Sequence, residues 1–189
     1  MLLLLMRHGI AEPLDDADFN APDDFHRALT RKGRKRARRA ALGVRELVPH
    51  LDFLASSPKT RARQTAILAR DVWGKKAPPL TEWSELMEDE SAAILQKLRA
   101  LDAKTKDSNC VLLCGHEPFL SRLISKLLTN SPDILEIEMK KAGVCALEIE
   151  FGPQKMKRDS PGNSMPQKMK LLWHLTPKQL RKIGEQPNR

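Results

Sequence analysis

Tyrosine is absent from this 189-residue chain, and aromatic residues make up only 4% of it. So thin an aromatic complement argues against a nucleic-acid binder built on base-stacking platforms. Three cysteines are present, Cys110, Cys114 and Cys145. Their number is odd and no two form a CxxC pair, which argues against a disulfide framework and fits a reducing compartment. No apolar run approaches the roughly 20 residues that span a bilayer. Met1-Leu2-Leu3-Leu4-Leu5-Met6 is apolar enough for part of a signal peptide. It lacks a basic leader, stops at Arg7 and is followed by no small-residue cleavage site. The expectation is a soluble cytoplasmic protein without a membrane partner. Also missing are an internal repeat and the nucleotide and zinc signatures GxxxxGKS/T, GxGxxG and HExxH.

What the chain does contain is 41% hydrophobic and 30% charged residues, a globular balance. Its length suits one domain, at roughly 100–200 residues per domain. The expected organisation is a single domain over residues 1–180 with a tail over 181–189. Lys and Arg number 33 against 24 Asp and Glu, a formal net charge of +9. That excess suits an anionic partner. Composition does not choose between a nucleic acid, an acidic lipid surface, a phosphorylated ligand and an acidic protein.

Leu2 to Met6 reads as a strand buried on both faces. Residues 11–28, rich in Asp, Pro and Asn, read as a long loop. Thr30 caps a helix to about Val48, with Ala37, Ala40, Ala41, Val44, Leu47 and Val48 on its apolar face. The basic run Arg31 to Arg39 is then its solvated side, a reading preferred over a nucleic-acid surface. Leu51 to Ala55 is a second strand. Ser57 as N-cap and Pro58 at the first helical position open a helix with Ala62, Ala66, Ala69 and Trp73 inward. A helix follows over about Ser91 to Leu101. Cys110 to Cys114 is a third strand, and Pro118 opens a helix to about Leu128. Val144 to Phe151 alternates as a half-buried strand, and residues 152–167 read as a mobile loop. Lys170 to Leu175 is the last strand, Thr176-Pro177 starts a short helix, and Gln186 to Arg189 is a frayed end. Strands alternating with helices predict an α/β fold, a three-layer α/β/α sandwich around a mostly parallel sheet.

Ligands in such sheets bind beyond the carboxyl ends of the strands. Three strand ends are followed by Arg7-His8-Gly9, by Ser57-Pro58-Lys59-Thr60-Arg61, and by Gly115-His116-Glu117-Pro118. Taken singly, each is ordinary: an Arg on a helix is usually solvated and a lone His is usually structural. Together they gather two guanidiniums and two imidazoles near helix N-termini, a cradle for a phosphoryl dianion. Gly9 lets the chain turn and keeps the space above His8 open. The histidines lack metal-ligand spacing, so no metal is expected. His26, His50 and His174 have no such setting and read as structural or surface residues.

Met6-Arg7-His8-Gly9, the run Ser56 to Ala66 (SSPKTRARQTA) and Gly115-His116-Glu117-Pro118 resemble the three signatures of the histidine phosphatase (phosphoglycerate-mutase-like) superfamily. Leu29-Thr30-Arg31-Lys32-Gly33 resembles its LTxxG helix start. The short length and the closing run Leu171 to Leu180 resemble the SixA-type branch, whose members are phosphohistidine phosphatases. The resemblance covers about residues 1–180. It implies that His8 is the nucleophile and becomes transiently phosphorylated. It implies that Arg7, Arg61 and a charged His116, with Gly9, bind the phosphoryl group, and that no cofactor takes part. The implied substrate is a phosphorylated protein or a small phosphorylated molecule, the protein phosphohistidine being preferred.

Larger superfamily members place a general acid after the second arginine motif. Glu85, in Trp83-Ser84-Glu85-Leu86, is the nearest match, but no Gly-rich stretch follows it. Glu82, Glu88, Asp89 and Glu90 crowd the same segment, which otherwise reads as a solvated acidic loop. A labile P–N bond needs such an acid less than a P–O ester does. The alternatives are a small-molecule phosphomonoesterase and a non-catalytic phosphoprotein-binding domain. The intact His8 argues against the last.

Overall fold

The computed structural model describes residues 1–14, 23–88, 90–103, 109–152 and 165–185. Asp89, most of the 152–167 loop and residues 186–189 lie outside that set. The elements are β1 (Leu2–Arg7), α1 (Arg31–Leu47), β2 (Phe53–Ser56), α2 (Thr60–Trp73), β3 (Leu80–Glu82), α3 (Ser91–Asp102), β4 (Cys110–Gly115), α4 (Phe119–Thr129), β5 (Val144–Glu150), β6 (Lys168–Leu175) and α5 (Pro177–Gly184). The sheet order is β3-β2-β4-β1-β5-β6. β3, β2, β4 and β1 run parallel, and β5 and β6 add an antiparallel edge. The mostly parallel α/β/α sandwich is therefore as the alternation of elements implied.

The central strands are apolar on both faces because both are covered. Leu3, Leu5, Val111 and Leu113 pack with α3 and α4 through Leu95, Leu98, Leu120 and Leu123. Leu4, Met6, Leu54 and Leu112 face the other way, towards Ala37, Ala40 and Val44 of α1, Ala62 and Ala66 of α2, and Leu180 of α5. Small residues on α1 and α2 let those helices lie close to the sheet. No helix among the described residues is long and apolar enough to cross a membrane.

Local signals explain most boundaries. Thr30 Oγ1 accepts from Gly33 N at 2.8 Å and starts α1, as expected. Thr176 and Gln179 form a capping box at α5, with Pro177 at its first turn. Three expectations change. β3 was not expected; it is a three-residue edge strand without an alternating run long enough to signal it. Leu47, the last residue of α1, is 43% exposed rather than in its apolar face, while Val48 just beyond it is buried as expected. α2 starts at Thr60, not Pro58, with Lys59 at the cap position; the Ser57 hydroxyl accepts from Lys59 N at 3.3 Å and also meets His116.

α1 and α5 meet at Gly43. A Cβ there would sit 1.9 Å from the Leu180 carbonyl oxygen, a backbone atom that cannot step aside. Gly→Ala inside a helix normally gains about 1 kcal/mol. Here the sign reverses: forcing bulk into a filled contact costs roughly 1–3 kcal/mol or more. Gly43→Ala is expected to lower the melting temperature by about 5 °C or more by calorimetry; an unchanged or higher value would contradict this packing.

Candidate active site

Register brings the candidate residues together. Met6 pairs with Cys114, and Cys114 pairs with Ser56. The next residues therefore emerge side by side: Arg7-His8 from β1, Ser57 from β2, His116 from β4. Cross-strand bonds continue one step further, from His8 N to the Gly115 carbonyl at 3.0 Å and from Ser57 N to the Cys114 carbonyl at 2.9 Å. Arg61 arrives from the first turn of α2, 5% exposed.

His8 is 7% exposed. Its Nδ1 lies 2.7 Å from the Gly9 carbonyl. A carbonyl only accepts, so Nδ1 carries the proton and Nε2 keeps its lone pair in the neutral ring. Burial pushes the His8 pKa down to about 3, helped by His116, Arg61 and Arg7. The His8 and His116 ring centroids are 5.0 Å apart. His116 Nε2 is 2.8 Å from Ser57 Oγ, while its buried Nδ1 has no partner among the described residues. Its pKa is also lowered to about 3, by burial and then by the Arg61 and Lys59 charges. These influences work against the charged His116 expected from the sequence in the free site. The buried His8 and the half-buried His116, set beside the same cations, are both shifted towards the neutral form. A bound phosphoryl dianion would reverse that balance.

The guanidiniums are fixed by backbone and carboxylate. Arg7 Nη1 donates to the Met139 carbonyl at 2.6 Å. Arg61 donates through Nη1 to the Asp24 carbonyl and through Nη2 to its carboxylate at 3.2 Å. Each has a buried Nε without a partner among the described residues. Those two N–H groups and His116 Nδ1 are the unsatisfied polar atoms that an oxyanion could serve.

Sequence reading missed Asp24, Lys59, Ser57 and Thr65. Asp24 also accepts from Lys59 Nζ and Arg27 Nη2, each at 2.7 Å, and these cations hold its carboxyl well below the usual range. It came from a loop with several acidic residues and no pattern to single one out. Thr65 accepts from Gly9 N at 3.0 Å and donates to the Arg61 carbonyl at 2.7 Å, tying β1's exit to α2. Gly9 therefore has a different use from the one expected. Its N–H is engaged by Thr65 and its carbonyl by His8. A side chain there would meet Leu29 and the Gly33 carbonyl, each at 3.2 Å, so its smallness admits α1.

Glu85 is not drawn into this group. Its carboxylate pairs with Lys97 of α3 at 2.6 Å, and that contact holds its pKa below the ordinary value. A general acid needs the opposite shift. Glu85→Gln is expected to leave turnover within about twofold, whereas removing a general acid costs roughly 10²–10⁴-fold. A loss of that larger size in steady-state assays would return Glu85 to the site. His26 pairs with Asp23 at 2.8 Å, and His50 is exposed. Neither has a bond to the cradle among the described residues.

The chain matches known proteins in sequence and in fold. Residues 3–94 match the family model of the histidine phosphatase superfamily, branch 1. The chain is 33% identical over 148 residues to an uncharacterized protein of Picosynechococcus sp., covering 78% of this chain and 84% of that protein. Its fold is similar to that of the protein histidine phosphatase SixA complexed with tungstate, with a TM-score of 0.72 and 21% identity over 95% of this chain and 99% of the other. A mycobacterial glucosyl-3-phosphoglycerate phosphatase in complex with VO3 aligns with a TM-score of 0.62 and 17% identity, over 91% and 97%. The chain belongs to the histidine phosphatase superfamily. Within it the fold is of the compact SixA type, and phosphatase activity is the activity this membership supports.

Proposed function

We propose that the chain is a metal-independent phosphatase that works through phosphorylated His8 and removes phosphate from phosphohistidine in a protein. The observation that carries this reading is the setting of His8: Nδ1 engaged by the Gly9 carbonyl, Nε2 without a partner among the described residues, and burial that favours the neutral ring. A neutral imidazole with a fixed tautomer is a prepared nucleophile. Nε2 attacks phosphorus in line as the bond to the leaving group breaks. Arg7, Arg61 and His116 hold the phosphoryl oxygens, and Ser57 holds the His116 ring. Water then attacks phospho-His8, releasing phosphate and restoring the ring. Phosphoryl transfer of this kind rests on positioning and charge, which the guanidiniums supply.

The similarity in fold to the protein histidine phosphatase SixA supports a protein as the substrate. A small-molecule phosphomonoesterase is the competing reading. The test is an activity panel with EDTA present: a phosphohistidine protein, sugar phosphates and an aryl phosphate. The expected result is highest kcat/KM on the phosphohistidine protein. A preference for a sugar phosphate would favour the competitor. No turnover of any substrate would overturn the catalytic reading.

A further inference from the structure

Glu117 follows His116 directly, and its carboxyl is held in an unusual way. Oε2 hydrogen-bonds Ser121 Oγ on the first turn of α4. The same Ser121 Oγ lies 3.0 Å from the Pro118 carbonyl, which also accepts from Arg122 N. A hydroxyl has one proton to give, and a carbonyl only accepts. With an ionised Glu117, two acceptors would compete for that one proton. With a protonated Glu117, Oε2–H donates to Ser121 Oγ and Ser121 donates onward to Pro118, so both contacts are made. Oε1 adds a second observation: it is sealed from solvent and has no partner among the described residues. A buried anionic oxygen left bare is costly, whereas the carbonyl oxygen of a neutral acid is much less so.

The electrostatics agree. Burial raises the Glu117 pKa, against the opposing pulls of Ser121 and of Arg7. The other shifted carboxyls among the described residues (Asp23, Asp24, Glu85 and Glu138) all move down, each beside a basic side chain. The chain itself sets Glu117 directly after His116, at the carboxyl end of β4 where the cradle is built.

We propose that Glu117 is the proton donor to the leaving group, the role that sequence position alone suggested for Glu85. This rests on the phosphatase reading above. As the His8 Nε2–P bond forms, the P–O bond breaks and its electron pair stays on the leaving oxygen. That oxygen takes the Glu117 proton and departs as an alcohol, leaving Glu117 as carboxylate. Rotation about the soft terminal torsion of Glu lets either oxygen present the proton. In the second step water attacks phospho-His8 and gives one proton to Glu117. The resting acid is restored, and phosphate leaves with the remaining atoms of water. A proton donor beside the cradle extends the substrate class to esters of poor leaving groups.

First-turnover release of the leaving group is the readout, for wild type and Glu117→Gln. The substrates are glycerol phosphate, phenyl phosphate and 4-nitrophenyl phosphate. The expected loss is about 10²-fold or more on glycerol phosphate, since general acids contribute roughly 10²–10⁴-fold. On 4-nitrophenyl phosphate, whose anion leaves unaided, the loss is expected to be under about fivefold. That retained rate also shows the variant to be folded. Equal losses on all three substrates, or none, overturn the proposal. The wild-type enzyme supplies a test free of any variant: its first-turnover rate should depend only weakly on leaving-group basicity. Rates falling steeply from nitrophenyl to glycerol phosphate would overturn the proposal for an active enzyme. A wild type inactive on every phosphate, phosphohistidine included, would overturn the phosphatase reading and this proposal with it.

Discussion

His8→Ala is expected to lower kcat by at least about 10⁴-fold, since removing the nucleophile of a covalent mechanism leaves only binding and charge stabilisation. The variant should still fold and still bind phosphate. His8 is a small part of the packing, and Arg7, Arg61 and His116 are held by partners other than its ring. Binding should even tighten slightly, because the neutral ring occupies space beside the cradle without adding positive charge. Stopped assays on the phosphohistidine protein and isothermal titration with inorganic phosphate check the two halves separately. Turnover near the wild-type rate would remove His8 from the chemistry. Loss of both turnover and phosphate binding would instead point to a damaged cradle.

Arg61→Ala has the second largest expected effect, a fall of about 10²–10³-fold in kcat/KM, the size seen when one preorganised donor to a developing charge is removed. Its guanidinium is buried, planar and aimed by two bonds to Asp24. Arg61→Lys keeps the charge but loses the fork, so it should recover less than about a tenth of the lost activity. Removing Arg61 also relieves His116, whose pKa that guanidinium helps to depress. The pH profile of the Arg61→Ala variant should therefore show an imidazole titrating closer to its ordinary range of about 6.5. Full rescue by lysine would mean that charge alone, not geometry, is what the site requires.

The sheet and its covering helices were legible because their signals are local. Leu2 to Met6 and Cys110 to Cys114 are continuous apolar runs, and Thr30 and Thr176 carry capping chemistry that the structure repeats. Arg7, His8, Arg61 and His116 were legible because each follows a strand end, and in-register pairing of β1, β4 and β2 brings those ends together. The remaining features depend on contacts distant in sequence. Asp24 gains its importance from Arg61 and Lys59, which lie more than thirty residues away. Ser57 looked like a helix cap, and only the fold shows His116 reaching its hydroxyl. Glu85 fitted a spacing, yet Lys97 on α3 holds it as an ion pair. Glu117 stood in plain view beside His116, but its burial and its Ser121 partner are tertiary facts. The net charge of +9 divides in the same way. Arg7 and Arg61 are buried or half-buried at the site, while Arg31, Lys32, Arg34, Lys35, Arg36 and Arg38 lie exposed along α1.

The measurement that tests the central claim most directly is rapid acid-free quench of the enzyme with labelled substrate, followed by peptide mapping. A phosphoryl group that is stable in alkali, lost in acid and located on His8 is the predicted result. Turnover with no phosphorylated peptide at any time point, or with the label on another residue, would contradict it.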